Sequence, residues 1–275
     1  MIYGAIIGDI VGSRFENDKN HTYSKNFAFF DPRCRYTDDT VLTVAVANAM
    51  IQSISDNLDE KDTKNTIIEF LRKYCRLYPE AGYGSAFKEW VNDNRKTAYN
   101  SYGNGSAMRC SSVGWLYDNL DTTLNMAKLT AEVTHNHEEG IKGAQAVASA
   151  IYLARNGFDK NDIKDYIEST FNYNLNLTID EIKLGNMNIT KLKTSCMIAV
   201  PNAIMCFLQS TDFEDTIRNA IYIGGDTDTV GAIAGSIAEA YYGISDEMKE
   251  ECQSFIDNKL LTVINDIESF SWRAI

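Results

Sequence analysis

The chain has 275 residues, 44% of them hydrophobic and 23% charged, which is the composition of an ordinary globular protein able to bury a sizeable core. Its formal net charge is −12 and its Lys and Arg residues form no cluster, so an electrostatic grip on nucleic acid or on an anionic membrane is not expected outside a local basic pocket. The apolar start MIYGAIIGDIVG lacks the basic leader and cleavage site of a signal peptide, and the apolar stretches are too short to span a bilayer. We therefore predict a cytoplasmic protein, monomeric by default, with no membrane partner.

Helical spacing dominates the chain. Apolar residues recur at i, i+3, i+4 and i+7, whereas alternating strand-like runs are few and short, so the pattern predicts an all-α fold. The predicted helices lie near residues 39–55, 62–77, 105–117, 122–134, 138–156, 160–170, 193–208, 212–222, 228–242 and 246–266. Residues 17–36, 92–104 and 171–191 break the pattern and are predicted to be long loops. No linker divides the chain, so residues 1–275 are predicted to form a single domain.

The first apolar segment carries a glycine at every fourth position, Gly4, Gly8 and Gly12. This spacing is typical of one face of a helix that packs closely against another helix, and Asp9 argues against a membrane helix pair. Glu16 follows at the mouth of the first polar loop. It could act as a general base or as a salt-bridge partner, and its position taken alone favours the salt bridge.

An acidic cluster, Thr37-Asp38-Asp39-Thr40, stands directly before the apolar run that starts at Val41. Thr and Asp are preferred at helix N-caps, and carboxylates favour the positive end of a helix. For this cluster alone, helix capping is therefore the expected role.

The segment Gly103-Asn104-Gly105-Ser106-Ala107-Met108-Arg109 places two glycines and a serine before a predicted helix. Backbone N–H groups in such a loop can cradle a phosphate, and a plain turn with a helix cap explains the residues equally well. Neither the Walker A motif nor the dinucleotide fingerprint fits these residues, and no strand is predicted before the loop.

Two of the three histidines stand close together, in Thr134-His135-Asn136-His137-Glu138-Glu139-Gly140. A His-x-His pair can bind zinc, but the remaining histidine is the distant His21 and no cysteine lies nearby, so a zinc site would lack ligands. A hydrogen bond to a ribose or phosphate, or a helix cap, fits this segment better.

A second acidic cluster, Asp226-Thr227-Asp228-Thr229, follows two glycines and again precedes a run of small and apolar residues. Each cluster holds two carboxylates within three residues, which is more charge than one cap requires, and like charges this close repel each other unless a cation joins them. If the two helix starts meet, their carboxylates and hydroxyls would form an all-oxygen site suited to Mg²⁺ or Mn²⁺, with room for two ions. The carboxylates would have to outweigh the helix dipoles, which oppose a cation there.

Taken together, the motifs resemble the ADP-ribosylglycohydrolase family. The resemblance covers Gly4 to about Gly243 and rests on GAIIGDIVGSRFE, YTDDT, GNGSAMR, THNHEEGIKGAQA and GGDTDTVGAIAGSIAEAYYG, which occur in the family's order. It implies an orthogonal bundle of helices with two Mg²⁺ or Mn²⁺ ions in a central cleft.

The resemblance also implies roles for individual residues. The metal ligands would be Thr37, Asp38, Asp39, Asp226, Asp228 and Thr229. Glu16 matches the glutamate near the scissile bond and would act in catalysis with Asp38 and Asp228. The pyrophosphate of the substrate would lie on Gly103, Asn104, Gly105, Ser106 and Met108, with His135 contacting the ADP-ribose. Thr227 replaces the serine of many relatives, a mild departure.

The implied reaction is metal-dependent hydrolysis of the glycosidic bond between ADP-ribose and a modified acceptor. ADP-ribosyl-arginine on protein is the preferred acceptor, and serine linkages, nucleic acid bases and small ADP-ribosyl metabolites stay open. Two alternatives belong to other classes: a metal-dependent phosphoesterase acting on a nucleotide, and an ADP-ribose-binding module without catalysis.

Overall fold

The computed structural model of the chain describes residues 1–16, 24–93, 97–188 and 192–270. These residues contain fifteen helices and no strand, apart from one isolated bridge between Gly103 and Ser195, so the predicted all-α fold is confirmed. In chain order the helices are α1 Tyr3–Gly12, α2 Asp38–Ser55, α3 Glu60–Leu77, α4 Ser85–Asn92, α5 Gly105–Met108, α6 Val113–Leu116, α7 Leu120–Glu132, α8 Glu138–Arg155, α9 Lys160–Phe171, α10 Ile179–Asn188, α11 Cys196–Leu208, α12 Phe213–Ile223, α13 Thr227–Tyr242, α14 Asp246–Gln253 and α15 Asn258–Ser269. None of the described helices is both long enough and apolar enough to cross a membrane.

Most predicted helices agree with the structure to within a few residues, and four regions differ. The predicted helix 105–117 is two short helices, α5 and α6. The predicted helix 246–266 is divided into α14 and α15 by a turn at residues 254–256, which is followed by Asp257, the N-cap of α15. Two helices, α4 and α10, were not predicted. The prediction of a loop over 171–191 is wrong for residues 179–188, because α10 buries few side chains and its scattered asparagines hide the helical period. The described part of the predicted loop 17–36, residues 24–36, contains no helix, and residues 17–23 lie outside the described chain.

Two helices at the centre of the bundle, α1 and α13, are in very close contact. All ten residues of α1 are buried, as are residues 227–239 of α13. A Cβ atom added to Gly8 would overlap the carbonyl oxygen of Gly231, and one added to Gly4 would overlap that of Gly235. The predicted glycine face is thus confirmed, and its partner is the small-residue face of α13.

The pairing of these glycines also fixes the direction of the two helices. Gly4 lies against Gly235 while Gly12 lies against Thr227, so α1 and α13 are antiparallel. The end of α1 therefore lies beside the start of α13, which brings Glu16 towards Asp226 and Asp228. Because the close approach of α1 and α13 depends on glycine, the position of the acidic residues does too.

Candidate active site

The two acidic clusters meet at the starts of α2 and α13. Thr229 Oγ1 donates a hydrogen bond of 3.2 Å to Asp39 Oδ2, across the boundary between the helices. Carboxylate oxygens of Asp9, Asp39 and Asp228 lie within 4.8 Å of one another, and so do those of Glu16, Asp226 and Asp228. Asp228 belongs to both sets, so two groups of oxygen ligands stand side by side.

Asp9 belongs to the site, although its sequence context did not predict this. Its fully buried carboxylate accepts hydrogen bonds from Thr37 N (2.8 Å), Thr37 Oγ1 (2.7 Å), Thr40 N (3.0 Å) and Thr40 Oγ1 (2.5 Å). A carboxylate on α1 thus satisfies backbone N–H groups at the start of α2, which have no partner inside their own helix. The signal in the sequence was an aspartate within an otherwise apolar, glycine-spaced helix.

Capping explains Thr37 but not the carboxylates that follow it. Thr37 is the N-cap of α2, and its hydroxyl accepts from Asp39 N at 3.3 Å. Asp39 Oδ1 is buried and has no hydrogen-bond partner among the described residues. At the start of α13, Asp226 is the N-cap residue but its side chain caps no backbone N–H group, and its Oδ2 accepts from Asn104 Nδ2 at 2.6 Å instead.

The acidic residues raise one another's pKa. The pKa values of Asp39 and Asp228 lie well above the ordinary value, and burial is the largest cause for both. The second cause is the negative charge of a neighbouring carboxylate, which is Asp228 for Asp39 and Asp226 for Asp228. Burial and the charge of Asp9 raise the pKa of Asp38 to about 7. Burial, followed by the charge of Asp226, raises the pKa of Glu16.

This arrangement fits a divalent cation. In the part of the chain that the structure describes, no lysine or arginine forms an ion pair with Asp9, Asp39 or Asp228. Buried carboxylates without a counter-charge are costly, and the donor set consists of hard oxygen atoms, which Mg²⁺ and Mn²⁺ prefer. The unpartnered Oδ1 of Asp39 is a ligand atom that the fold leaves open for such an ion.

A cleft of about 420 Å³ opens next to these carboxylates, a volume in the range of small-molecule sites. It is lined by both acidic clusters (Glu16, Asp38, Asp39, Asp226, Asp228, Thr229), by the glycine loop (Gly103, Asn104, Gly105, Met108, Arg109), by His135 and Thr194, and by Phe87 and Tyr99. Residues predicted from separate motifs therefore lie around one cleft.

The glycine loop is tied to the metal-ligand candidates and to its own surroundings. The side chain of Asn104 donates to Asp226. The backbone N–H of Asn104 donates to Thr194 O at 2.8 Å, and that of Gly103 donates to Ser101 Oγ at 3.0 Å. Ser106 is fully buried and its hydroxyl donates to Gly140 O at 2.7 Å, so this side chain is used in packing and does not line the cleft.

The two neighbouring histidines have different environments. His137 is the N-cap of α8, where its Nδ1 accepts from Glu139 N at 3.1 Å, in agreement with the helix-cap reading. His135 is buried at the wall of the cleft, where burial and the charge of Arg109 lower its pKa well below the ordinary value. His21 lies outside the described residues.

Comparison with known proteins identifies the family of the chain. The family model described as ADP-ribosylglycohydrolase matches residues 1–268. The chain belongs to this family. The ADP-ribosylhydrolase ARH3 of Mus musculus is 26% identical over 94% of the chain and 88% of its own length, and the ADP-ribosylarginine hydrolase Tri1 of Pseudomonas putida is 24% identical over 89% of the chain and 70% of its own length.

A solved structure shows the same fold. It is titled ADP-ribosylglycohydrolase-related protein complex, and it superposes with a TM-score of 0.63 over 95% of this chain and 94% of its own, at 22% identity. The sequence-based assignment to the ADP-ribosylglycohydrolase family and its class of hydrolases is thus confirmed.

Proposed function

We propose that this ADP-ribosylglycohydrolase uses two Mg²⁺ or Mn²⁺ ions to hydrolyse the glycosidic bond between ADP-ribose and a modified acceptor, with ADP-ribosyl-arginine on protein as the preferred substrate. The observation that carries the proposal is the position of Asp228, which lines the cleft and belongs to two sets of neighbouring carboxylates. Two adjoining sets with a common ligand are suited to two neighbouring ions.

The proposed ligands come from both helix starts. Thr37, Asp38 and Asp39 would supply oxygen atoms from α2, and Asp226, Asp228 and Thr229 would supply them from α13. Asp9 already accepts four hydrogen bonds, so we assign to it chiefly the task of holding Thr37 and Thr40 in place. A bound divalent cation supplies positive charge and Lewis acidity, which polarise the oxygen atoms placed on it.

The substrate would lie along the cleft. Its pyrophosphate would lie against Gly103, Asn104, Gly105 and Met108, beside His135. Asn104 also holds Asp226, so the loop that would receive the pyrophosphate is connected to the carboxylates. The ribose joined to that pyrophosphate would thereby come close to Asp38, Asp228 and Glu16.

The proposed reaction cleaves a bond at the anomeric carbon of the ribose. This cleavage passes through a state with positive charge on the ring, which the carboxylates of the cleft stabilise. Glu16 stands at the edge of the carboxylate group with a raised pKa, which suits the transfer of a proton between the attacking water and the departing acceptor. The products would be ADP-ribose and the unmodified acceptor.

Two observations favour an arginine acceptor. The relative from Pseudomonas putida is named an ADP-ribosylarginine hydrolase. In addition, the carboxylate of Glu16 lines the cleft, where it would attract a guanidinium group. The net charge of −12 disfavours a nucleic acid acceptor.

The test is release of ADP-ribose from an arginine-ADP-ribosylated protein, followed by mass spectrometry with Mg²⁺, with Mn²⁺ and with a chelator. We expect metal-dependent release that is lost when Asp38→Asn and Asp228→Asn are combined. A matched control, Asp56→Asn with Asp246→Asn, changes two exposed aspartates that do not line the cleft and should keep full activity. Full activity in the chelator would contradict the metal dependence.

The products distinguish the alternatives. Inorganic phosphate released from a nucleotide would support the phosphoesterase. If arginine-linked substrate is not cleaved, serine-linked, nucleic-acid-linked and small ADP-ribosyl substrates are tested next. Binding of ADP-ribose without turnover of any of them would support the non-catalytic binding module.

A further inference from the structure

Arg109 lies at the inner wall of the cleft and is fully buried, yet no carboxylate in the described ranges forms an ion pair with its guanidinium. Its Nη2 donates to Thr130 O at 2.9 Å and to Thr134 Oγ1 at 2.8 Å. Its Nε and Nη1 have no hydrogen-bond partner among these residues. A buried cation without a counter-charge destabilises the folded state, so we expect the side chain of Arg109 to have a role in its surroundings.

The hydroxyl of Thr134 connects Arg109 to His135. Thr134 Oγ1 lies 2.7 Å from His135 Nδ1. A guanidinium can only donate, so Thr134 Oγ1 accepts from Arg109. The hydroxyl of Thr134 has one proton to donate, and among the described residues its remaining partner is His135 Nδ1. Donation to Nδ1 is the arrangement that gives this buried proton an acceptor.

This direction of hydrogen bonding fixes the tautomer of His135. Because Nδ1 accepts, the single proton of the neutral ring is on Nε2. The nearby charge of Arg109 and the burial of the ring both oppose a second proton. The ring is therefore neutral near neutral pH, and its hydrogen-bond donor is the N–H group at Nε2.

The Nε2 edge of the ring faces the glycine loop of the cleft. A Cβ atom added to Gly105 would lie 3.2 Å from His135 Nε2, and one added to Gly103 would lie 3.5 Å from it. The absence of side chains at these two positions leaves Nε2 uncovered on the side where the pyrophosphate is proposed to lie.

We infer that Arg109 and Thr134 are positioning residues, which hold His135 as the neutral Nε2–H tautomer so that this N–H group donates to an anionic phosphate oxygen of the ADP-ribosyl group. The identity of the anion rests on the proposed function. The opposite tautomer would present a lone pair to the phosphate and repel it. The buried charge of Arg109 also acts through Thr134 to strengthen the donor, and it favours an anion in the cleft.

The tautomer can be measured in the metal-free, ligand-free protein by long-range ¹H–¹⁵N correlation NMR. The chain has three histidines, so the spectrum is simple, and His137→Gln and His21→Gln assign the signals of His135 by elimination. We expect the chemical shift of an unprotonated nitrogen at Nδ1 and that of a protonated nitrogen at Nε2. A protonated Nδ1, or an imidazolium at neutral pH, would overturn the inference.

The second experiment measures ADP-ribose affinity and steady-state kinetics in Thr134→Val, which removes the hydroxyl but keeps the shape of the side chain. We expect a mixture of tautomers and a rise of about tenfold in Kd and KM with kcat little changed, since a hydrogen bond to a bound group is lost in the ground and transition states alike. Thr134→Ser restores the hydroxyl and should restore both the tautomer and the affinity.

Thr130→Val is the matched control, because Thr130 is equally buried, one turn earlier on α7, and its hydroxyl bonds only to Ala127 O in the described residues. An equal loss of affinity in Thr130→Val and Thr134→Val would show a general packing effect and would overturn the inference. Wild-type protein with the expected tautomer but no affinity for ADP-ribose would instead refute the proposed function, and with it the phosphate contact.

Discussion

Thr229 Oγ1 donates a 3.2 Å hydrogen bond to Asp39 Oδ2, and this bond joins two helix starts that are 190 residues apart in the sequence. It holds Asp39 within reach of Asp228, whose carboxylate lies within 4.8 Å. The positive ends of α2 and α13 offset part of the negative charge. The remaining repulsion is a cost to the folded state, which a cation between the carboxylates would remove.

Replacement of Asp39 by asparagine should therefore stabilise the metal-free protein. The amide oxygen can still accept from Thr229, while one buried charge disappears. We expect the free energy of unfolding in a chelator to rise by about 1 kcal/mol. Saturating Mg²⁺ or Mn²⁺ should raise the Tm of the wild type, and we expect this increase to be lost in Asp39→Asn. Both are measured by thermal and urea unfolding.

Asp246→Asn is the control for this measurement, because Asp246 is exposed in the first turn of α14 and does not line the cleft. It should change neither the metal-free stability nor the stabilisation by metal. If Asp39→Asn were destabilising in the chelator while the metal effect persisted, Asp39 would be a structural residue and not a ligand.

The raised pKa of Asp38 predicts a pH dependence of stability without metal. The pKa rises from an ordinary 3.8 in the unfolded chain to about 7 in the folded protein, because of burial first and the charge of Asp9 second. Between these values the folded state keeps a proton that the unfolded state releases, so the free energy of unfolding falls as pH rises from about 4 to about 7. Urea unfolding in a chelator at several pH values should show this slope, and Asp38→Asn should make it less steep, because the other carboxylates with raised pKa values still contribute. An equal slope in the variant would assign the effect to other groups.

The sequence predicted which motifs supply the residues of the cleft, but it did not predict the contacts between distant segments that hold these residues in place. The spacing of glycines in the first segment predicted a close helix contact, and Gly231 and Gly235 provide it. The pairs of aspartates predicted more charge than capping requires, and Asp39 Oδ1 is indeed left without a hydrogen-bond partner among the described residues. Each of these features is local, so the amino-acid pattern contains it.

The features that could not be predicted depend on contacts between distant segments. Asp9 satisfies the start of α2 from another helix, and Asn104 reaches Asp226 across 122 residues of sequence. Ser106 stands in a phosphate-loop pattern, yet its hydroxyl bonds to Gly140 O, which no local pattern indicates. Such partners become visible only when the packing of the helices is known.

Asp9 offers a test that separates helix capping from metal binding. Asp9→Ala removes the acceptor of four hydrogen bonds and leaves buried N–H groups of Thr37 and Thr40 unsatisfied, so we expect a loss of about 3 kcal/mol or more in the free energy of unfolding. Asp9→Asn can keep its amide oxygen on the two N–H groups and should remain folded. Normal metal binding in Asp9→Asn, measured by calorimetry, would identify Asp9 as a cap, and a strong loss would add it to the ligands.

Glu16→Gln tests the proposed proton transfer. The amide keeps the size of the side chain but cannot carry a proton between water and the acceptor, so we expect kcat to fall about 100-fold or more. The Kd for ADP-ribose should change little. The comparison is made with saturating substrate and metal, and an unchanged kcat would remove Glu16 from the mechanism.

The contact between α1 and α13 can be tested with a single methyl group. A Cβ atom on Gly8 would overlap the backbone of Gly231, and no side-chain movement can relieve this, so the helices must separate. We expect Gly8→Ala to lower the free energy of unfolding by about 3 kcal/mol or more. We also expect weaker metal binding, because Glu16 follows α1 and Asp226 precedes α13, so separation of the helices moves these carboxylates apart. Gly185→Ala is the control: Gly185 lies in α10 with no atom near its added Cβ, so alanine should stabilise the protein by about 0.5–1 kcal/mol. Wild-type stability in Gly8→Ala would mean that α1 and α13 are not in backbone contact.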